Sequence, residues 1–431
     1  MRRIAQRAYG DERRWNEIWA VNTCKSGNPD LIYPGEIIII PPDRLKAHLA
    51  QTARVSKYAN APANSYKFLL GGREVPVSSL RIQRSIDTLF DSWIAEIAWK
   101  PGYDPELDAL VSPYAYTPSS LYLGSTLVAT GALYNVEPHM SDKGVSKVLE
   151  CYTRTCDLTD SKMIPNYSYQ WSGNTVQQIA NELLSRLGYT MRFLIPSNLE
   201  LPFDFAILQK TEPYGSFLIR LAKSRALLVT NDETGAVVFM QPSSSGPSVG
   251  TLTDSDIMGS AAAQAAMGAA SSPEWSAKFE GRKRFHTYTV ICQGGDGHTI
   301  QSQATDDNVL PGRSMTYEND LNDPSSVDLS ASWERSKQLV KALSFPVPVS
   351  SWYAPNGQLW APGQLVTIVS HVLSVPLGFK FLVRQTEHVL DEHGMVCTLQ
   401  VCPPQCYTGE PLIEPWFPQP SDRFKKSRNL S

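Results

Sequence analysis

The chain has no run of 18 apolar residues, and its N-terminus has no apolar stretch of the kind a secretory signal needs. Those two gaps argue against a membrane-spanning helix and against export, and favour accumulation in a cytoplasm. It has no excess of either charge. With 39 Lys and Arg against 42 Asp and Glu, the formal charge is −3, so the chain carries no global footprint for gripping nucleic acid. C-x2-C and H-E-x-x-H spacings are missing, which removes the common zinc frameworks. No nucleophile elbow and no pair of carboxylates of the glycosidase type is expected. Seven cysteines, an odd number, fit buried thiols in a reducing compartment better than a disulfide framework.

What is present is core-forming material and punctuation. Apolar residues make up 42% of the 431, enough for two to four packed domains. Proline (31) and glycine (27) interrupt many short alternating segments, a β-rich texture.

From Tyr66, period-2 alternation bounded by Pro, Gly and Asp predicts an antiparallel β-barrel or sandwich over 65–168. Residues 169–242 read as a small α+β unit. Asn174 is placed to cap a helix whose Val176, Ile179, Ala180, Leu183, Leu184 and Leu187 share one face, with Gly188 ending it. A second helix, Gly215 to Arg225, presents Phe217, Leu218, Leu221 and Ala222, and a hairpin turning at Asn231–Gly235 follows. Residues 243–406 read as a second β-barrel with a small-residue loop at 259–272, one helix around Ala331–Ser344, and a half-buried last strand alternating from Met395 to Val401. Two barrels in one chain would form an internal pseudo-repeat. Residues 43–64 are a linker, and 407–431 a Pro-rich tail.

The N-terminal segment 1–42 carries the most specific local pattern. Ile4, Ala5 and Ala8 with Tyr9-Gly10 suggest one helix, and Trp15, Ile18 and Trp19 a second. The loop Asn28, Pro29, Asp30, Leu31, Ile32, Tyr33, Pro34, Gly35 then leads into the strand Ile37, Ile38, Ile39, Ile40, with Pro34-Gly35 suited to a type II turn. This stretch resembles a LysM module lacking its opening strand. The LysM family binds N-acetylglucosamine in peptidoglycan or chitin through a groove, half of which is missing here. Two uses stay open: residual sugar binding at Asn28–Gly35, or pairing of the apolar edge Ile37–Ile40 with a strand from a neighbouring protein.

Across roughly 65–405, the phrases YTRTCDLTDS, WSGNTVQQIANELLSRLGY, FLIRLAKSRALLVTNDETGAVVFMQP, GQLWAPGQLVTIV and HVLDEHGMVCTLQVCPP resemble the baseplate hub proteins of contractile-tailed phages, the Mu-like and late-control-gene-D type. That resemblance implies a mainly β, α+β chain with two tube-like barrels flanking the small α+β unit. It implies a homotrimer adapting a six-fold tail tube to a three-fold spike, with a channel that DNA crosses without being held. The implied partners are a spike below, a tube or tube-initiator protein above, and wedge or sheath-initiator proteins around; the implied location is the virion, assembled in a host cytoplasm. A structural role without cofactor, metal or catalysis follows. The alternatives are a peptidoglycan-binding tail protein or the hub of a type VI secretion spike.

Two further clusters are candidates. His388 and His393 flank Asp391-Glu392, with Cys397, Cys402 and Cys406 nearby, but the tetrapeptide Asp391–Gly394 suits a hairpin turn better than a metal site. Cys151 and Cys156, five apart in one extended strand, would face opposite ways, and Gly294–Gly297 is a turn without a following helix. In the tail, Trp416 and Phe417 are either part of a disordered end or the anchors of an arm lying on a neighbour.

Overall fold

A computed structural model describes residues 2–9, 64–141, 144–162, 168–195, 200–257, 276–293, 298–319, 321, 323–391 and 394–416. Contacts divide the chain into units 1–60 and 61–431. In the first, helix α1 (Arg2–Tyr9) covers the helix expected from Ile4, Ala5 and Ala8, with Ala5 buried, and no comparison supports a LysM module there. The loop Asn28–Gly35 and the strand Ile37–Ile40 lie outside the described residues.

The first β-rich segment contains β1 (Tyr66–Leu70), β2 (Ser79–Ser85), β3 (Ser92–Ala98), β4 (Pro118–Leu123), β5 (Thr126–Ser141) and β6 (Gly144–Thr153). Alternation places Leu80 and Ile82 of β2, and Trp93, Ala95 and Ile97 of β3, on the buried face, as the period-2 pattern requires. The α+β unit follows, with β7 (Met191–Leu194), β8 (Leu228–Asn231), β9 (Val237–Met240) and helices α2 (Val176–Arg186) and α3 (Tyr214–Lys223). Its core is its own: Ile179, Leu183, Phe217, Leu221 and Phe239 are all buried together with Trp171 stacked on Phe217. Each such side chain contributes about 1.5–3 kcal/mol by leaving water.

The cap of α2 is Thr175, not Asn174. Its hydroxyl accepts from the Gln178 N–H while the Gln178 side chain accepts from the Thr175 N–H, a reciprocal capping box. Asn174 instead bridges to Phe203. Cys156 also differs from expectation. The strand ends at Thr153, and Cys156 sits in a single 3-10 turn, Arg154–Cys156.

The second β-rich segment holds β10 (Lys278–Phe279), β11 (Thr287–Gln293), β12 (Thr299–Thr305), β13 (Ser314–Glu318), β14 (Leu343–Ser344), β15 (Pro346–Val349), β16 (Leu365–Ser370), β17 (Val375–Asp391) and β18 (Gly394–Cys402), with helix α4 (Val327–Ala342). Strands β12-β11-β13 form a separate three-stranded sheet on which α4 packs through Val327 and Ala331.

Both β-rich segments are present, but among the described residues no sheet closes on itself. The strands of the two segments instead join into one twelve-stranded sheet, because β2 pairs with β17 from Leu80↔Leu390 to Ser85↔Gln385. One continuous apolar core therefore runs from Phe68 and Trp93 to Phe345, Trp352 and Leu399. A strand edge carries unsatisfied N–H and C=O groups, and lateral pairing satisfies them as well as closure would.

Candidate assembly surfaces

The two segments repeat one design. Strands β5 and β6 form a hairpin closing at Ser141↔Gly144, and β17 and β18 one closing at Asp391↔Gly394, 250 residues later. Both ladders slip at the same place, between Leu133 and Asn135 in the first and between Val383 and Gln385 in the second, again 250 apart. Both turns end on a glycine with positive φ, +140° at Gly144 and +119° at Gly394, which side-chain-bearing residues rarely adopt. Each hairpin is followed by a single 3-10 turn, Arg154–Cys156 and Pro404–Tyr407. The neighbours repeat too: β3 lies on β6 as β15 lies on β18, with Ile94↔Glu150 matched by Pro346↔Gln400.

Charged and polar groups fasten the seam between the repeats. Asp87, just after β2, accepts hydrogen bonds from Lys337 on α4, from Arg384 Nη1 on β17 at 3.0 Å, and from the Tyr407 hydroxyl at 2.8 and 2.9 Å. Burial pushes the Asp87 carboxyl up, but Lys337, Tyr407 and Arg384 outweigh it and hold it below the usual carboxylate range. On the α+β side, the Arg225 guanidinium is buried on Asp323 at 2.7 Å, lies 4.0 Å from the centre of the Phe203 ring, and donates to the carbonyls of Leu201 and Pro202.

His388 lies in this seam, opposite Ile82, and is fully buried. Neither ring nitrogen has a hydrogen-bond partner, and its ring meets Trp352 edge-on at 5.9 Å. Burial, with the Arg84 cation adding to it, lowers its pKa to about 3 from the ordinary 6.5. A folded-state value below the unfolded one means that folding is undisturbed above pH 6.5 and weakens as pH falls through the window from 6.5 toward 3. At pH 5 this amounts to ~2 kcal/mol. Urea unfolding at pH 8 and pH 5 should show His388→Leu losing ~2 kcal/mol less than the native chain between the two. Equal losses would mean that His388 takes up a proton as readily in the folded chain as in the unfolded one.

No group of three or more His, Cys, Asp and Glu able to hold an ion occurs among the described residues; His393 lies outside them. Cys397, Cys402 and Cys406 are buried, and burial pushes the Cys397 and Cys406 thiols well up, the opposite of what a ligand or nucleophile needs. A G-x-S-x-G spacing does occur, at Gly246–Gly250. Its Ser248 hydroxyl donates to the Gly250 carbonyl at 2.6 Å and accepts from the Thr367 N–H at 2.9 Å, so it ties a loop to β16 and is not presented as a nucleophile.

Trp416 anchors the tail on its own chain. Its indole N–H donates to the Leu373 carbonyl at 2.9 Å, and its ring packs edge-on against Phe279 at 4.9 Å. It walls a cavity of about 750 Å³ with Phe279, Arg284, Leu310 and Glu414, in which Arg284 bridges Asp306 and Glu414, each at 2.7 Å. Phe417 lies outside the described residues. Sequence reasoning missed Asp87, Arg225 and the β2–β17 pairing; the signal available was the pair of turn glycines 250 residues apart, each seven residues after a glutamate, Glu137 and Glu387.

Comparison with known proteins agrees with this architecture. Residues 155–241 match the family described as baseplate hub protein gp44-like, second domain, and residues 325–410 that of the Mu phage baseplate assembly protein GpP, fourth domain. The chain is 24% identical over 340 residues to the baseplate hub protein gp44 of Escherichia phage Mu, covering 76% of this chain and 84% of that one. Its fold is similar to that of a 43 kDa tail protein of prophage MuSo2 from Shewanella oneidensis, with a TM-score of 0.62, 20% identity, and coverage of 79% of this chain and 98% of the other. A tail protein from Neisseria meningitidis gives 0.64 at 15% identity, covering 81% and 99%.

Proposed function

We propose, for a chain that belongs to the structural baseplate hub family of Mu-like phages and is not an enzyme, that three copies close into a ring at the centre of the baseplate. The observation carrying this reading is the repeat. Two like units per chain supply six quasi-equivalent positions when three chains close, while the whole chains keep three-fold symmetry. Such a ring adapts a six-fold tube above to a three-fold spike below and leaves a channel for DNA. With a net charge of −3, the chain has no bulk charge that would hold a passing duplex. Wedge or sheath-initiator proteins would contact its outside.

Copy number tests the ring. Imaging or quantitative mass measurement of assembled tails should return three copies per particle. One, two or six would overturn it.

A further inference from the structure

The outer edge of β17 is covered within the chain, whereas among the described residues the matching edge of β5 is bare. Strand β2 lies on β17 from Gln385 to Leu390. The equivalents 250 residues earlier are Asn135 to Met140, and among the described residues the only strand paired with β5 on that side, β4, stops at Pro118↔Ala132. Burial follows: Thr386 and His388 are 0% exposed, while Met140 is 86% exposed and its neighbours Glu137, Pro138 and His139 are exposed too.

The second repeat also has its own version of β2. In the first repeat β2 pairs with β3 through Gln83↔Ser92; in the second, β10 pairs with β14, which runs on into β15, through Lys278↔Ser344. Ser92 and Ser344 are equivalent, because the offset of 252 that relates them also relates Ile94 to Pro346. Lys278 is therefore the counterpart of Gln83, 195 residues on. The side of the strand agrees. Glu280 donates to the Ala342 carbonyl, next but one along the ladder that pairs Lys278 with Ser344, while Phe345, adjacent to Ser344, gives its carbonyl to Val401 on β18, so β10 lies on the edge away from β18. Among the described residues β10 has one strand partner, β14, which leaves its other edge open.

We propose that the β10 edge of one copy, Ser276 to Phe279, pairs antiparallel with the bare β5 edge of a second copy, Val136 to His139, in the register that β2 keeps on β17. Transferring that register sets Val136 opposite Phe279, Glu137 opposite Lys278, Pro138 opposite Ala277 and His139 opposite Ser276. The side chains suit each other. Phe279 is 52% exposed and would face Val136; Glu137, which lies 3.5 Å from His139 on its own strand, would face Lys278, where its counterpart Glu387 lies across from Gln83 and reaches Arg81, two residues along, at 3.5 Å. Lys278 is 68% exposed and held only by the nearby Glu280, a surface pair that is readily exchanged. Pro138 has no N–H to give, so the proposed ladder lacks that bond and relies on the charged pair for its specificity. Opposite charges directly across a ladder stabilise it and like charges oppose it.

The contact rests on the ring reading, and charge exchange in the full chain separates the two. Glu137→Lys and Lys278→Glu should each lower association of purified hub, read by mass photometry, by about tenfold. The double variant should restore it, with thermal unfolding unchanged in all three because both residues are exposed. Single variants that associate like the native chain, or a double variant no better than the singles, would overturn the strand pairing; three copies of native protein per tail would then leave the ring standing. A native count other than three would overturn both.

Discussion

Replacing Arg225 by leucine should cost about 3–5 kcal/mol in urea unfolding, the range for removing one member of a buried ion pair. Arg225 and Asp323 are only 1% and 3% exposed, so neither charge has water to fall back on. Without the guanidinium, Asp323 would keep only its bonds from Ser325, and the carbonyls of Leu201 and Pro202 would each lose a donor. Arg225→Lys retains charge but not the fork of donors, and should lose roughly half as much. Pairing Arg225→Leu with Asp323→Leu should recover most of the loss, since the greater part of it comes from the stranded carboxylate and not from the missing attraction. If the double variant were as unstable as the sum of the two singles, the pair would not be acting as a unit.

Local structure was legible in this sequence because local forces decide it. The face of α2 from Val176 to Leu184 follows from 3.6-residue spacing, and its core residues are buried as that spacing requires. The β17–β18 hairpin follows from alternation around Asp391–Gly394. Which edge meets which was not legible. The pairing of β2 with β17 joins residues some 300 apart, and a strand pattern specifies a buried face but not the neighbour on its edge. Two closed barrels and one shared sheet bury the same alternating residues, so apolar patterning cannot choose between them.

Charged anchors were hidden for a related reason. Asp87 stands in a short segment after a strand, where aspartate usually serves a turn, and nothing nearby in sequence announces that Lys337, Arg384 and Tyr407 converge on it. Trp416 stood out by its type in a Pro-rich tail, but as part of a disordered end or as an anchor on a neighbour, and not as a contact within its own chain. Its partners were not legible, because Leu373 and Phe279 are brought to it only by the fold.

Asp87→Ala should therefore loosen the seam more than any change on the sheet's outer face. The substitution leaves the Lys337 and Arg384 cations and the Tyr407 hydroxyl converging on an empty position, and a loss of about 3 kcal/mol is expected. Asp87→Asn keeps an acceptor while removing the charge, so it should fall between the native chain and the alanine variant. Because its neighbours hold the Asp87 carboxyl below its ordinary value of 3.8, its contribution is fully present above that pH. It is lost as pH falls through the lower folded-state value, a more acidic window than that of His388. Hydrogen exchange at neutral pH would locate the effect. Amides of β2 and of Gln385–Leu390 should lose protection in Asp87→Ala, while those of α2 and α3, whose core is separate, should keep theirs. Uniform loss across both cores would mean that Asp87 supports the whole unit and not the seam. Loss confined to the seam would tie this carboxylate to the mutual placement of the two repeats on which a six-position ring depends.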